Sequence, residues 1–200
     1  MNRPTADLAG LRTSHSQLER AIASLTDAQA AAPSRLPDWT IGHVLTHIAR
    51  NADSVVRRLE GAARGEVVDQ YPGGREGRAA EIDAGALRGA AALLADVTDT
   101  NRAIDTAIDA MPAAAWSNLA RDVRGTEETA SAVVFKRWRE VEIHHVDLGL
   151  GYEPSAWPIE VVDRWLPEVM ATVADRADHR LLLAWTLRRV DDAPELGPWR

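Results

Sequence analysis

Two pairs of side chains in this sequence have the spacing of a metal site. His43 and His47 are four residues apart, and so are Glu140 and His144. Side chains four apart on an α-helix share one face, with Cβ atoms about 5–6 Å apart. Each pair can therefore reach one ion. A third ligand from a facing helix would complete a His/His/Glu set with one open coordination position, as in catalytic zinc sites.

Each pair also has an ordinary structural interpretation. A His-x-x-x-His pair can arise by chance, and a Glu-x-x-x-His pair can simply support a helix surface. Angular position separates the candidates at 100° per residue. His47 borders the apolar stripe of its helix, whereas His43 points nearer to solvent. Glu140 and His144 flank the stripe of the other helix, while His145 lies on it, as expected for a core histidine with a hydrogen-bond partner.

The elements that must position these pairs are predicted to be helices. Apolar residues recur at helical rather than alternating spacing, and the predicted helices span residues 5–25, 40–63 (with Thr40 as N-cap), 80–110 and 127–150. Four helices of this length fit a four-helix bundle. The segment 71–74, Tyr-Pro-Gly-Gly, is predicted to be a break. We therefore expect an all-α fold without a large sheet.

Composition excludes several classes of protein. The 200 residues carry a net charge of −7 with no basic stripe, which argues against a nucleic-acid binder. The chain has no apolar run near the roughly 20 residues needed to span a bilayer, and its N-terminus lacks an apolar signal core, so we expect no membrane association and a cytoplasmic protein. The cysteine count is zero. Any thiol chemistry must therefore use a thiol from outside the chain.

Three ordered blocks carry a resemblance to a known family. Residues 36–54 read LPDWTIGHVLTHIARNADS, residues 71–85 contain YPGG, Arg78 and EIDAG, and residues 139–149 read REVEIHHVDLG. Together they resemble the mycothiol-dependent maleylpyruvate isomerases, which belong with the DinB-like helical-bundle metalloproteins. The resemblance covers about residues 1–155.

The resemblance implies a DinB-like four-helix bundle that binds a divalent metal, usually zinc, through His47, Glu140 and His144. It also implies mycothiol as thiol cosubstrate and a small-molecule electrophile as substrate. The family's named reaction is the isomerisation of maleylpyruvate to fumarylpyruvate, and relatives transfer thiols to other electrophiles. A metal with an open position can lower the pKa of a thiol and present it as a thiolate.

Arginines are the expected partners of a dicarboxylate substrate, because a guanidinium can grip a carboxylate with two hydrogen bonds. Arg78, Arg137 and Arg50 are candidates from the residues alone, although each taken singly could be a solvated surface side chain. Arg189 matches, by resemblance, an arginine that functions in the family. We predict Arg78, Arg137 and Arg189 as catalytic residues.

The chain departs from the family pattern at its C-terminal end. Members usually carry a small α/β domain after the bundle, and here that region is shortened. We predict a bundle domain at 1–153 and a short, mostly helical appendage at 154–200, with a helix near 161–174 and an apolar segment at 181–185. The shortening favours a rival function, a non-catalytic bundle that binds metal or a small ligand. A further alternative is a homodimeric interaction module, in which the tryptophans pack between subunits and the histidines are incidental. The chain is expected to be a monomer or a homodimer.

Overall fold

The computed structural model describes residues 3–197, which are mainly helical. Contacts divide the chain into two compact units, Met1–Ala156 and Trp157–Arg200. The first unit contains α1 (Thr5–Ile22), α2 (Asp27–Ala30), α3 (Ile41–Arg64), α4 (Gly74–Ala86), α5 (Ala90–Asp109), β1 (Leu119–Arg121), β2 (Glu127–Thr129) and α6 (Ala130–Asp147). The second contains α7 (Ile159–Ala171), α8 (Val173–Arg176) and α9 (His179–Thr186).

The four long helices of the first unit form a closed bundle. α3 packs against α5 and α6, and α1 packs against α6 and α5, so each helix has two long neighbours. Fully buried apolar side chains from all four fill the interior, including Leu18, Val44, Leu59, Leu93, Ile108 and Val133. The predicted all-α fold is confirmed.

The start of α3 follows from local chemistry. The Thr40 side chain accepts a hydrogen bond from the backbone N–H of His43, and Nδ1 of His43 accepts one from the backbone N–H of Thr40. This reciprocal pair forms a capping box, which satisfies backbone donors that a helix start leaves without partners. The helix ends at Gly65, whose φ of +75° is left-handed. The predicted helix over 40–63 is confirmed.

The other helix predictions were wrong in their bounds: the helix predicted over 5–25 ends at Ile22, and the one predicted near 161–174 is divided between α7 and α8. The predicted helix over 80–110 is two helices, which are separated by residues 87–89. The Asp27 carboxylate accepts a hydrogen bond at 2.7 Å from the backbone N–H of Ala90, the first residue of α5. α4 also starts earlier than predicted, at Gly74, the last residue of the Tyr-Pro-Gly-Gly segment. The helix predicted from 127 starts at Ala130, because Glu127–Thr129 pairs antiparallel with Leu119–Arg121.

The second unit contains short helices, and the apolar segment 181–185 lies in α9. The assignment of 1–153 and 154–200 as domains stays a prediction. Within residues 3–197, no helix combines the length and apolar character needed to cross a bilayer.

Candidate metal centre

Three predicted ligands from two helices come together in the first unit. His47 lies on α3, and Glu140 and His144 lie on α6. Nε2 of His47 is 2.9 Å from Nε2 of His144, and each of these nitrogens is 3.4 Å from Oε2 of Glu140. His47 is buried, whereas the Glu140 side chain retains 27% of its exposure. The cluster therefore has one buried member and one that is partly exposed to solvent.

The separations suit a small divalent ion. Ligand atoms about 2.0–2.2 Å from a tetrahedral zinc ion lie roughly 3.3–3.6 Å from one another. The two imidazole–carboxylate distances of 3.4 Å match that edge, and the imidazole pair at 2.9 Å is slightly closer. Two imidazoles and one carboxylate are also a donor set that catalytic zinc uses. The residues present fit a divalent metal, and their role as ligands stays a prediction.

Asp147 orients one of the candidate ligands, and the sequence analysis missed it. Its Oδ2 lies 2.8 Å from Nδ1 of His144, on the side of the ring away from the cluster. A carboxylate in this position fixes the ring orientation and directs Nε2 toward the site, as it does for histidine ligands in many metal proteins. The signal was available, because residues three apart on a helix share a face.

His47 is held by an aromatic ring and approached by a cation. The Trp39 ring meets the His47 ring edge to face at 5.7 Å. Nη2 of Arg78, on α4, lies 2.9 Å from Nδ1 of His47 and 3.4 Å from its Nε2. The Arg78 guanidinium also lies 5.7 Å from the centroid of the Tyr71 ring, within range of a cation–π contact. The structure thus places the predicted Arg78 beside the cluster.

In the metal-free protein at neutral pH, the three clustered groups carry one titratable proton, which lies on His144. Burial, followed by the neighbouring His144, lowers the pKa of His47 to about 4 against the opposing effect of Glu140. Burial also opposes protonation of His144, but hydrogen bonds to Asp147 and Glu140 outweigh it and raise its pKa to about 9. Burial favours a neutral Glu140, yet the two histidines hold its pKa well below the usual range. At neutral pH the cluster is therefore one imidazolium, one imidazole and one carboxylate.

His43 and His145, which lie next to the candidate ligands in the sequence, have structural contacts. Nδ1 of His43 is part of the capping box with Thr40, and its ring stacks on Trp39 at 6.1 Å between centroids. His145 is buried in the core as expected and stacks on the Tyr152 ring at 3.9 Å, with an interplanar angle of 3°. Four-residue spacing alone could not separate the candidate ligand from the capping residue in the His43/His47 pair.

The remaining predicted arginines lie elsewhere. Arg137 is only 1% exposed, and four of its five N–H groups already face protein acceptors, a position that favours a role inside the fold over contact with a substrate. Arg50 pairs with Asp96 at 2.6 Å. Arg189 is exposed in the second unit, and its catalytic role stays a prediction.

Comparison with known proteins bears on this geometry. A family model for the mycothiol maleylpyruvate isomerase N-terminal domain matches residues 11–149. One similar solved structure is the mycothiol-dependent maleylpyruvate isomerase, at 27% identity and a TM-score of 0.79. Another is a mutant of that enzyme with a histidine replaced by alanine, at 26% identity and a TM-score of 0.79. Each alignment covers 83% of this chain and 69% of the other. No curated protein sequence matches significantly.

The paired histidines provide a matched test of ligand assignment. His47→Ala is expected to abolish stoichiometric zinc binding, because it removes one of three ligand atoms. His43→Ala should keep a stoichiometry of about one and lower the free energy of unfolding by less than about 1 kcal/mol, because it removes only the His43 half of the capping box and leaves the Thr40 cap in place. Elemental analysis and titration calorimetry measure the first effect, and urea unfolding of metal-free protein measures the second. Retention of full zinc binding by His47→Ala would contradict the assignment.

Zinc binding at pH 7 is expected to release about one proton per ion, because only His144 must lose a proton to become a ligand. Apparent affinity should rise about tenfold per pH unit between pH 6 and 8. For the metal-free protein, the contribution of His144 to the free energy of unfolding falls as the pH rises. Protonation of His144 stabilises the fold below its ordinary pKa of about 6.5, and this contribution disappears as the pH rises through about 9. Calorimetry in buffers of different ionisation enthalpy counts the protons, and a count of zero or two would refute the proposed charge state.

Proposed function

The chain belongs to the mycothiol maleylpyruvate isomerase N-terminal domain family, and we propose that it is a zinc-dependent enzyme that uses the mycothiol thiolate to isomerise maleylpyruvate or a related electrophile. The observation that carries the proposal is the convergence of His47, Glu140 and His144 within bonding range of one small ion. S-transfer, in which the thiol remains on the electrophile, would use the same site.

The three clustered residues would hold the ion, and two of them already have the protonation state that a metal ligand needs. Glu140 is ionised and His47 is neutral at pH 7, so both are ready to donate electron pairs. Asp147 fixes the ring of His144. When bound, a divalent ion lowers the pKa of a coordinated thiol, so that the thiolate is present at neutral pH. With no cysteine in the chain, that thiol must come from the cosubstrate.

The proposed reaction conserves atoms and electrons. The mycothiol thiolate adds to the electron-poor carbon–carbon double bond, forming a C–S bond while the π electrons move to the conjugated carbonyl oxygen as an enolate. Rotation about the resulting single bond exchanges cis for trans. Collapse of the enolate restores the double bond and expels the thiolate, which is not consumed. The enolate is the charge that the site must stabilise during the reaction.

Arg78 is the residue that we propose binds the substrate carboxylate. Its guanidinium lies beside His47. A neutral imidazole that ligates a metal through Nε2 carries its hydrogen on Nδ1, and a group that carries a hydrogen cannot accept one from Arg78. The guanidinium would then have N–H groups for a carboxylate, which it can bind with two parallel hydrogen bonds. The chemistry thus calls for an anionic electrophile.

The decisive experiment follows maleylpyruvate by absorbance with zinc-loaded protein and mycothiol. We expect turnover that needs both thiol and metal and that leaves the free thiol concentration unchanged. Loss of free thiol with formation of a thioether would identify S-transfer instead. His47→Ala is the inactive control. If zinc-loaded protein neither binds the thiol nor converts maleylpyruvate or a general electrophile, the enzyme proposal fails for this chain.

Two arginines of α4 test the carboxylate contact. Arg78→Gln is expected to lower kcat/KM about 10-fold to 100-fold, mainly through KM, because a charge-assisted hydrogen bond contributes about 1.5–3 kcal/mol. Arg75, three residues earlier and exposed, is the matched control, and Arg75→Gln should change kcat/KM less than about twofold. Zinc stoichiometry should be normal in both variants. Equal effects of the two substitutions would remove the assigned role of Arg78.

A further inference from the structure

A buried arginine connects the two helices that carry the clustered residues. Arg137 lies on α6, three residues before Glu140, and is 1% exposed. Its Nη1 donates to the backbone carbonyl of Ile48 at 2.8 Å and to Oδ1 of Asn51 at 2.9 Å, both on α3. Its Nη2 donates to Oδ1 of Asn101 on α5 at 3.1 Å. One side chain thus joins α6 to two neighbouring helices.

The α3 contacts lie beside the cluster. Ile48 directly follows His47, and Asn51 is one helical turn further on. The hydrogen bonds from Arg137 therefore meet α3 at the level where His47 faces α6. The fourth contact, from Nε of Arg137 to Nε2 of His15 at 3.4 Å, reaches α1. All four acceptors are uncharged.

A buried cation of this kind is sensitive to position. Burying a charge is unfavourable unless its hydrogen bonds are made. The guanidinium is a rigid planar fork whose donors point in set directions, so its acceptors can be reached at only one register of α6 against α3. A slip of one residue moves a helix by about 1.5 Å along its axis and turns it by about 100°. Metal–ligand distances tolerate only about 0.2 Å.

We propose that Arg137 is a positioning residue: its hydrogen bonds to Ile48 and Asn51 set the register of α6 against α3, and that register brings Glu140 and His144 to His47. The proposal rests on the metal centre put forward above. It replaces the sequence-based expectation that Arg137 grips a substrate carboxylate, since the guanidinium contacts protein acceptors in the core.

A purely electrostatic role would have the opposite sign. A buried cation near the cluster repels a divalent ion, so removing the charge alone would strengthen metal binding. Arg137→Lys retains the charge but lacks the fork. A positioning role predicts that Arg137→Lys binds zinc about 10-fold to 100-fold more weakly, the range seen when groups that orient metal ligands are lost. Binding at wild-type affinity would overturn the proposal.

The two asparagines that share this guanidinium supply a matched pair. Both are buried, and each accepts one hydrogen bond from Arg137. Asn51 lies on a helix that carries a candidate ligand, and Asn101 lies on one that carries none. Asn51→Ala and Asn101→Ala should both lower the urea midpoint of metal-free protein. We expect about 10-fold weaker zinc binding in Asn51→Ala alone.

The outcomes separate this inference from the proposed function. If wild-type protein binds no zinc by calorimetry, both fail. If wild-type protein binds zinc and the two asparagine variants weaken it equally, or neither does, only the positioning role of Arg137 fails. Weaker binding confined to Asn51→Ala, together with weaker binding by Arg137→Lys, supports the role. Since these readouts are affinity and stability, they do not depend on the identity of the electrophile.

Discussion

The approach of α6 to α3 in one fixed register is the constraint on which the candidate site depends. It sets two imidazole nitrogens and one carboxylate oxygen at separations of 2.9–3.4 Å, although the residues lie almost 100 positions apart in the chain. Charges so close and so little hydrated interact strongly. In the metal-free protein the three groups consequently carry one titratable proton, which lies on His144, while His47 is neutral. A bound divalent ion would take the place of that proton.

Polar groups in the interior also connect the elements of the first unit. Besides the Arg137 contacts, Glu142 on α6 accepts hydrogen bonds from the Ser14 hydroxyl on α1 and from the Trp138 indole at 3.3 Å. Arg58 on α3 donates to Glu128 on β2 at 3.2 Å. Buried ionic groups add little net stability because desolvation offsets their attraction. They are directional, however, and a network of satisfied hydrogen bonds favours one packing arrangement over its neighbours. A bundle held by apolar contacts alone lacks such directional contacts, so a shift of one helix along another is opposed less strongly.

Local rules were sufficient where the determining contacts lie within a few residues. The long helix α3 could be predicted to within one residue, because Thr40 caps its start and apolar residues recur regularly along it. The break at Gly89 was missed for the complementary reason. The carboxylate that accepts from the first N–H of α5 belongs to Asp27, more than 60 residues earlier, so no local window contains it. The strand pairing that delays the start of α6 likewise depends on residues outside the predicted helix.

The sequence by itself determined the types of the candidate ligands, the four-residue spacing of Glu140 and His144, and the absence of a thiol in the chain, since these depend only on which residues are present and on helical periodicity. It could rank His47 above His43 by angle, but only the fold showed why, with His43 engaged in the cap and His47 facing α6. Tertiary structure alone decided that Arg78 stands beside the cluster while Arg137 lies in the core. The physical reason is that an arginine has the same charge and donors everywhere. Its role is set by the acceptors around it, and those come from other helices.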